Sequence, residues 1–182
     1  ALEALMAQHS ARIYRVAYGI TRDHADAEEV TQDVFLSIIR KGGGFEGRSA
    51  LSTWIYRLAT NAALNKRRGK RREMEIALEE YLPAFTDDGH RSGDRSYLVA
   101  DWSENPEHAL MSAETRRVVE RALDTLPPRY RAVIILRDVE ELSKEQAAEI
   151  MGASIAWVKA RLHRARMALG EQLSRQFASS PA

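Results

Sequence analysis

The 182-residue chain contains no cysteine, which excludes disulfide staples and thiolate metal sites together. It has no apolar run approaching the roughly 18 residues of a membrane span, so no membrane insertion is expected. No basic segment followed by an apolar core opens it, as a secretory signal would, and the simplest expectation is a cytoplasmic protein. Five histidines (His9, His24, His90, His108 and His163) are scattered without the paired spacing of metal ligands. The glycines at 42–44 lack the lysine and hydroxyl of a phosphate-cradling loop and follow no strand. Adjacent carboxylates such as Glu28-Glu29, Glu79-Glu80 and Glu140-Glu141 diverge by about 100° on a helix and cannot work as pairs. No nucleophile and base are paired either. The reading is of a non-enzyme without cofactor or metal.

A net excess of either charge is also missing, since the chain sums to +1. That balance hides a segregation: residues 1–72 carry a net +6, residues 73–109 a net −8 and residues 110–182 a net +3. Two basic ends flank an acidic middle. A free-standing DNA binder usually has a larger basic excess, because phosphate neutralisation supplies much of its affinity. Tight duplex binding by the chain alone is therefore not expected.

What the sequence does contain is helical periodicity, with no alternation long enough for a sheet. Leu142 to Leu169 reads as two helices and a tight turn. Ser143 and Gln146 form a capping-box pattern, Gly152 is a helix stop and Ser154 caps the second helix. Ile155, Val158, Leu162, Ala165 and Leu169 share that helix's apolar face, while Trp157, Lys159, Arg161, His163 and Arg164 point elsewhere. This is the helix-turn-helix pattern, whose second helix enters the DNA major groove. Upstream, Leu2 to Ile20 predicts one helix and Ala25 to Arg40 a second, capped by Asp23. The second carries an apolar row of Ala27, Val30, Val34 and Ile38 and a separate acidic row of Asp26, Glu29 and Asp33. A third helix, capped by Ser52 or Thr53, runs to about Arg68 with Trp54, Ile55, Leu58, Ala62 and Leu64 inward. Six basic residues in seven follow at 66–72. Ala109 to Leu126 and Tyr130 to Val139 predict two more helices, separated by Pro127-Pro128. The expected fold is all-α: two small helical domains, 1–72 and 109–182, joined by an acidic linker at 73–108, with the helix-turn-helix in the second. On these features alone a promoter-reading subunit, an operator-binding regulator and a protein-only helical adaptor all stay open.

Four stretches narrow the choice: DAEEVTQDVFLSIIR at 26–40, FEGRSALSTWIYRLATNAALNKRR at 45–68, LPPRYRAVIILRDVEELS at 126–143 and the helix-turn-helix. In order and spacing, over nearly the whole chain, they resemble the extracytoplasmic-function (ECF) sigma factors of bacteria. The resemblance implies a −10-binding domain and a −35-binding domain that direct core RNA polymerase to promoter DNA. It implies that Asp26, Glu29, Gln32 and Asp33 dock on the β′ clamp helices, with the second domain on the β flap. Phe45, Arg48 and Ser49 then lie in the loop that captures a flipped −10 base, with Arg57, Asn61 and Asn65 on the helix beside it. Trp157, Lys159, Ala160, Arg161, His163 and Arg164 face the −35 element. Here Ala156-Trp157 departs from the family's common Gly-Thr and Ala160 from its common Ser, which bears on the −35 preference. The acidic linker is implied to thread the polymerase's basic channels, and an anti-sigma factor is implied as regulator.

Overall fold

The computed structural model describes residues 2–41, 50–68 and 113–178; the linker and the 45–49 part of the −10 loop lie outside them. Helix α1 (Leu2–Thr21) buries the row Ile13, Val16, Ala17 and Ile20. Helix α2 (His24–Lys41) starts where expected: Asp23 Oδ1 accepts the Asp26 N–H at 2.9 Å. It buries the expected row and also Phe35. These two pack on each other and on α3 (Leu51–Lys66), forming the N-terminal three-helix unit.

Helix α3 departs from the sequence reading. It begins at Leu51 behind Ala50, with no side-chain cap, and Thr53 is buried rather than capping. Trp54, Leu58 and Ala62 are only half-buried, whereas Tyr56 and Thr60, read as polar remainder, are buried. The cause is tertiary. α3 meets α1 and α2 on one side and the C-terminal half on another, so its buried arc is wider than one apolar stripe.

The C-terminal half comprises α4 (Ala113–Asp124), α5 (Pro128–Ile134), α6 (Lys144–Met151) and α7 (Ile155–Ala178). Pro127 precedes α5 and Pro128 opens it, where a missing N–H costs nothing. Val133, Ile134, Ile135 and Leu136 are buried, and the segment is helical as expected, but its last turn widens to a π-helical turn at Ile135–Val139. No helix among the described residues is long and apolar enough to cross a membrane.

The two halves pack directly on each other. A Cβ at Gly19 would lie 2.7 Å from Ile135 Cδ1, so glycine is what admits that side chain. Arg131, buried in the contact, donates Nε (2.9 Å) and Nη2 (2.5 Å) to the Ile20 carbonyl and Nη1 (2.5 Å) to that of Leu126. The Ile20 carbonyl is an end group of α1, so the guanidinium acts as its cap. Arg22 pairs with Asp124 at 2.7 Å and Arg57 with Glu149 at 3.0 Å. Glu140 accepts from Arg15 and, at 2.6 Å, from the Tyr56 hydroxyl.

Burial alone pushes the Glu140 carboxyl up, but the Arg15 and Tyr56 hydrogen bonds, with the Arg15 and Arg12 charges, hold it below its ordinary value. The Tyr56 hydroxyl is pushed up to about 12 by burial and then by Glu140. A depressed carboxylate contributes stability above its unfolded value and loses it as pH falls through the folded one. A raised phenol contributes below its ordinary 10.0 and loses that as pH climbs towards about 12. Urea unfolding across pH should therefore show the contact weakening at both ends. Glu140→Gln should flatten the acid limb; an unchanged limb would disconnect Glu140 from it.

Candidate nucleic-acid interface

The helix-turn-helix is built from local signals. The Ser143 hydroxyl accepts the Gln146 N–H at 3.1 Å, and Gln146 Oε1 accepts the Ser143 N–H at 2.9 Å, closing the capping box ahead of α6. Ala147, Ala148, Ile150 and Met151 are its buried side. Gly152 is left-handed (φ 62°), and Ala153 returns its N–H to the Ala148 carbonyl at 3.0 Å, which ends the helix. The Ser154 hydroxyl then accepts the Trp157 N–H at 3.0 Å and opens α7. Val158, Leu162 and Ala165 are buried and Leu169 packs against the core, but Ile155, expected with them, is exposed at the helix start.

At 100° per residue, the side of α7 opposite Val158, Leu162 and Ala165 is centred on Ala156 and Ala160. Exposed Lys159 and His163 flank it on one side and half-buried Arg164 on the other. Trp157 and Arg161 lie nearer the core. The Arg129 and Arg161 guanidinium carbons each stand 5.1 Å from the Trp157 ring. Arg161 also lies over Tyr130 at 5.2 Å and donates to its hydroxyl at 3.1 Å. A cation held over a ring at such distances is attracted to its face, so Trp157 and Arg161 are tied to α5 as well as carried by α7. The part of α7 presented furthest outward is shallow at its centre and cationic at its edges.

On α3, Arg57, Asn61 and Asn65 follow at intervals of four and form one line along the helix. Asn61 and Asn65 are exposed; Arg57 is half-buried and held by Glu149 of α6. Phe45, Arg48 and Ser49 lie outside the described residues. On α2, Gln32 and Asp33 are exposed, Glu29 pairs with Lys66 at 2.5 Å and Asp26 with Arg67 at 3.1 Å. The basic end of α3 thus lies beside the acidic row, an arrangement the charge run alone did not reveal. Leu36 and Ile39 are exposed on the same helix. Among the described residues no group of His, Asp or Glu is placed to hold a metal ion.

Two family models match the chain: Sigma-70 region 2 over residues 5–73 and Sigma-70, region 4 over residues 116–169. The chain is 32% identical over 166 residues to the ECF RNA polymerase sigma factor SigW of Bacillus subtilis, covering 89% of this chain and 83% of that protein. It is 32% identical over 180 residues to the ECF RNA polymerase sigma factor SigE of Mycolicibacterium smegmatis, covering 95% of this chain but only 62% of the length of that relative. Among solved structures, the sigma factor RpoE of Bartonella quintana, in complex with the anti-sigma factor NepR, aligns with a TM-score of 0.65 at 25% identity, over 94% of this chain and 96% of that one. CnrH, in complex with the cytosolic domain of CnrY, has the same fold, with a TM-score of 0.63 at 21% identity, over 98% and 89%.

Proposed function

The chain belongs to the ECF group of the sigma-70 family, and on that premise we propose that it is a promoter-specificity subunit of RNA polymerase. Residues 1–72 act as the −10 and polymerase-binding module, 73–108 as the acidic linker and 109–182 as the −35 module. Helix α7 enters the major groove of the −35 element, with Lys159, His163 and Arg164 supplying donors around the Ala156–Ala160 centre. Asn61 and Asn65, with the loop holding Phe45, Arg48 and Ser49, meet the melted −10 strand. Asp26, Glu29, Gln32 and Asp33 dock on the β′ clamp helices, and the C-terminal module docks on the β flap. The chain works in the cytoplasm, catalyses nothing itself and is held in check by an anti-sigma factor.

The observation that carries this reading is the pairing, in one chain, of a fully capped helix-turn-helix with an acidic row that faces out of α2. The first suits DNA and the second suits a cationic protein. Footprinting tests it: the chain alone should protect no site at physiological salt, and adding core polymerase should yield one footprint spanning both promoter elements. Tight, dimeric protection of an operator by the chain alone would instead identify a free-standing regulator.

A further inference from the structure

The surfaces assigned to the two promoter elements belong to halves that are packed together. Helix α6 lies against α3, and its Glu149 holds Arg57 at one end of the Arg57–Asn61–Asn65 line. Elements about 25 base pairs apart lie on the order of 80 Å apart on B-form DNA, at about 3.4 Å per pair. A chain of this length folded as one body has a radius of gyration of about 16 Å. Such a body cannot read both elements at once.

We infer that the packed arrangement is an autoinhibited state of the free chain, latched by Glu140, and that core polymerase engages the opened form. The inference rests on the function proposed above. Glu140 follows the π-helical turn of α5, and its side chain is only 3% exposed, whereas its neighbour Glu141 is exposed with a left-handed backbone (φ 55°). Every side-chain hydrogen bond Glu140 makes crosses to the other half, to Arg15 on α1 and to Tyr56 on α3. Once the halves part, its carboxylate loses both partners and is satisfied only by water.

The energetics suit a switch. A buried ion pair adds little net stability, because desolvation offsets the attraction, yet losing one partner is costly. The contact therefore fixes one arrangement strictly without binding it irreversibly. A larger partner needs only a modest preference for the open state to shift the population.

The test uses the full chain with Arg40→Cys on α2 and Ser174→Cys on α7, both at exposed positions, for a donor and an acceptor dye; the sequence has no cysteine to compete. Glu140→Ala should lower energy transfer in the free chain, reducing the closed-to-open ratio roughly tenfold or more. Its affinity for core polymerase should rise several-fold, and adding core should abolish transfer in both chains. If circular dichroism shows that Glu140→Ala has lost helix, Arg57→Glu takes its place. That change should lower transfer, and Glu149→Arg added to it should restore it. A folded Glu140→Ala chain with parental transfer, or one that opens with no gain in core affinity, overturns the latch. Reduced transfer with no core binding by either chain upholds the latch and overturns the polymerase reading instead.

Discussion

A chain carrying Glu29→Ala and Asp33→Ala should bind core RNA polymerase roughly 30-fold or more weakly than the parent, the loss expected when close interfacial charge pairs are truncated. Both residues are exposed on α2 and neither contributes to its buried face, so thermal unfolding should stay close to the parent's. Glu29 is held only by Lys66, and Asp26 only by Arg67, across exposed or half-exposed pairs. Surface pairs of this kind contribute little, so a cationic face on the polymerase displaces them at small cost. Lys159→Ala should do the reverse, sparing core affinity while weakening promoter occupancy. Titration of labelled core by fluorescence anisotropy, beside the same titration with promoter DNA present, separates the two. Equal loss of both activities in either variant would refute the division of labour between α2 and α7.

Arg131→Met should lower the unfolding free energy by about 3 kcal/mol, because it leaves buried carbonyls without donors. For a domain this size that is about 6–12 °C in the thermal midpoint. Three N–H groups of Arg131 serve the carbonyls of Ile20 and Leu126. Burial pushes the guanidinium down to about 10, with the Arg22 charge adding to that and Asp124 opposing it. It remains charged at neutral pH, so its bonds keep full charge assistance. Arg131→Lys should recover only part of the loss, since one ammonium cannot reproduce the planar fork across two carbonyls. Calorimetric scans of the three chains test this, and a methionine variant melting with the parent would show that the carbonyls find other donors.

What the sequence disclosed was what local chemistry decides. The Ser143–Gln146 box, the left-handed Gly152, the Ser154 cap, the Asp23 cap and Pro127-Pro128 act within a few residues of themselves. The structure shows each of them working as expected. Tyr56, Thr60 and Arg131 were not legible, because their burial depends on elements far along the chain. Glu140 was set aside as half of a non-cooperating carboxylate pair. The reasoning about Glu141 holds, but it could not reveal that Arg15 lies 125 residues away in sequence and within bonding distance in space. In the same way Trp157 and Arg161 read as outward residues, because the guanidinium that flanks the tryptophan comes from Arg129 on α5. Ser52 and Thr53 were plausible caps on local grounds, yet α3 starts at Leu51 because packing from both halves sets its position.

Run-off transcription addresses the central claim most directly. Core polymerase from the same source, stripped of its own specificity factors, is given a pool of promoter-sized genomic fragments with and without the purified chain. Discrete transcripts should appear only when the chain is present, from fragments sharing two motifs at a fixed separation. The same output with and without it, despite a correctly folded chain, would contradict the account.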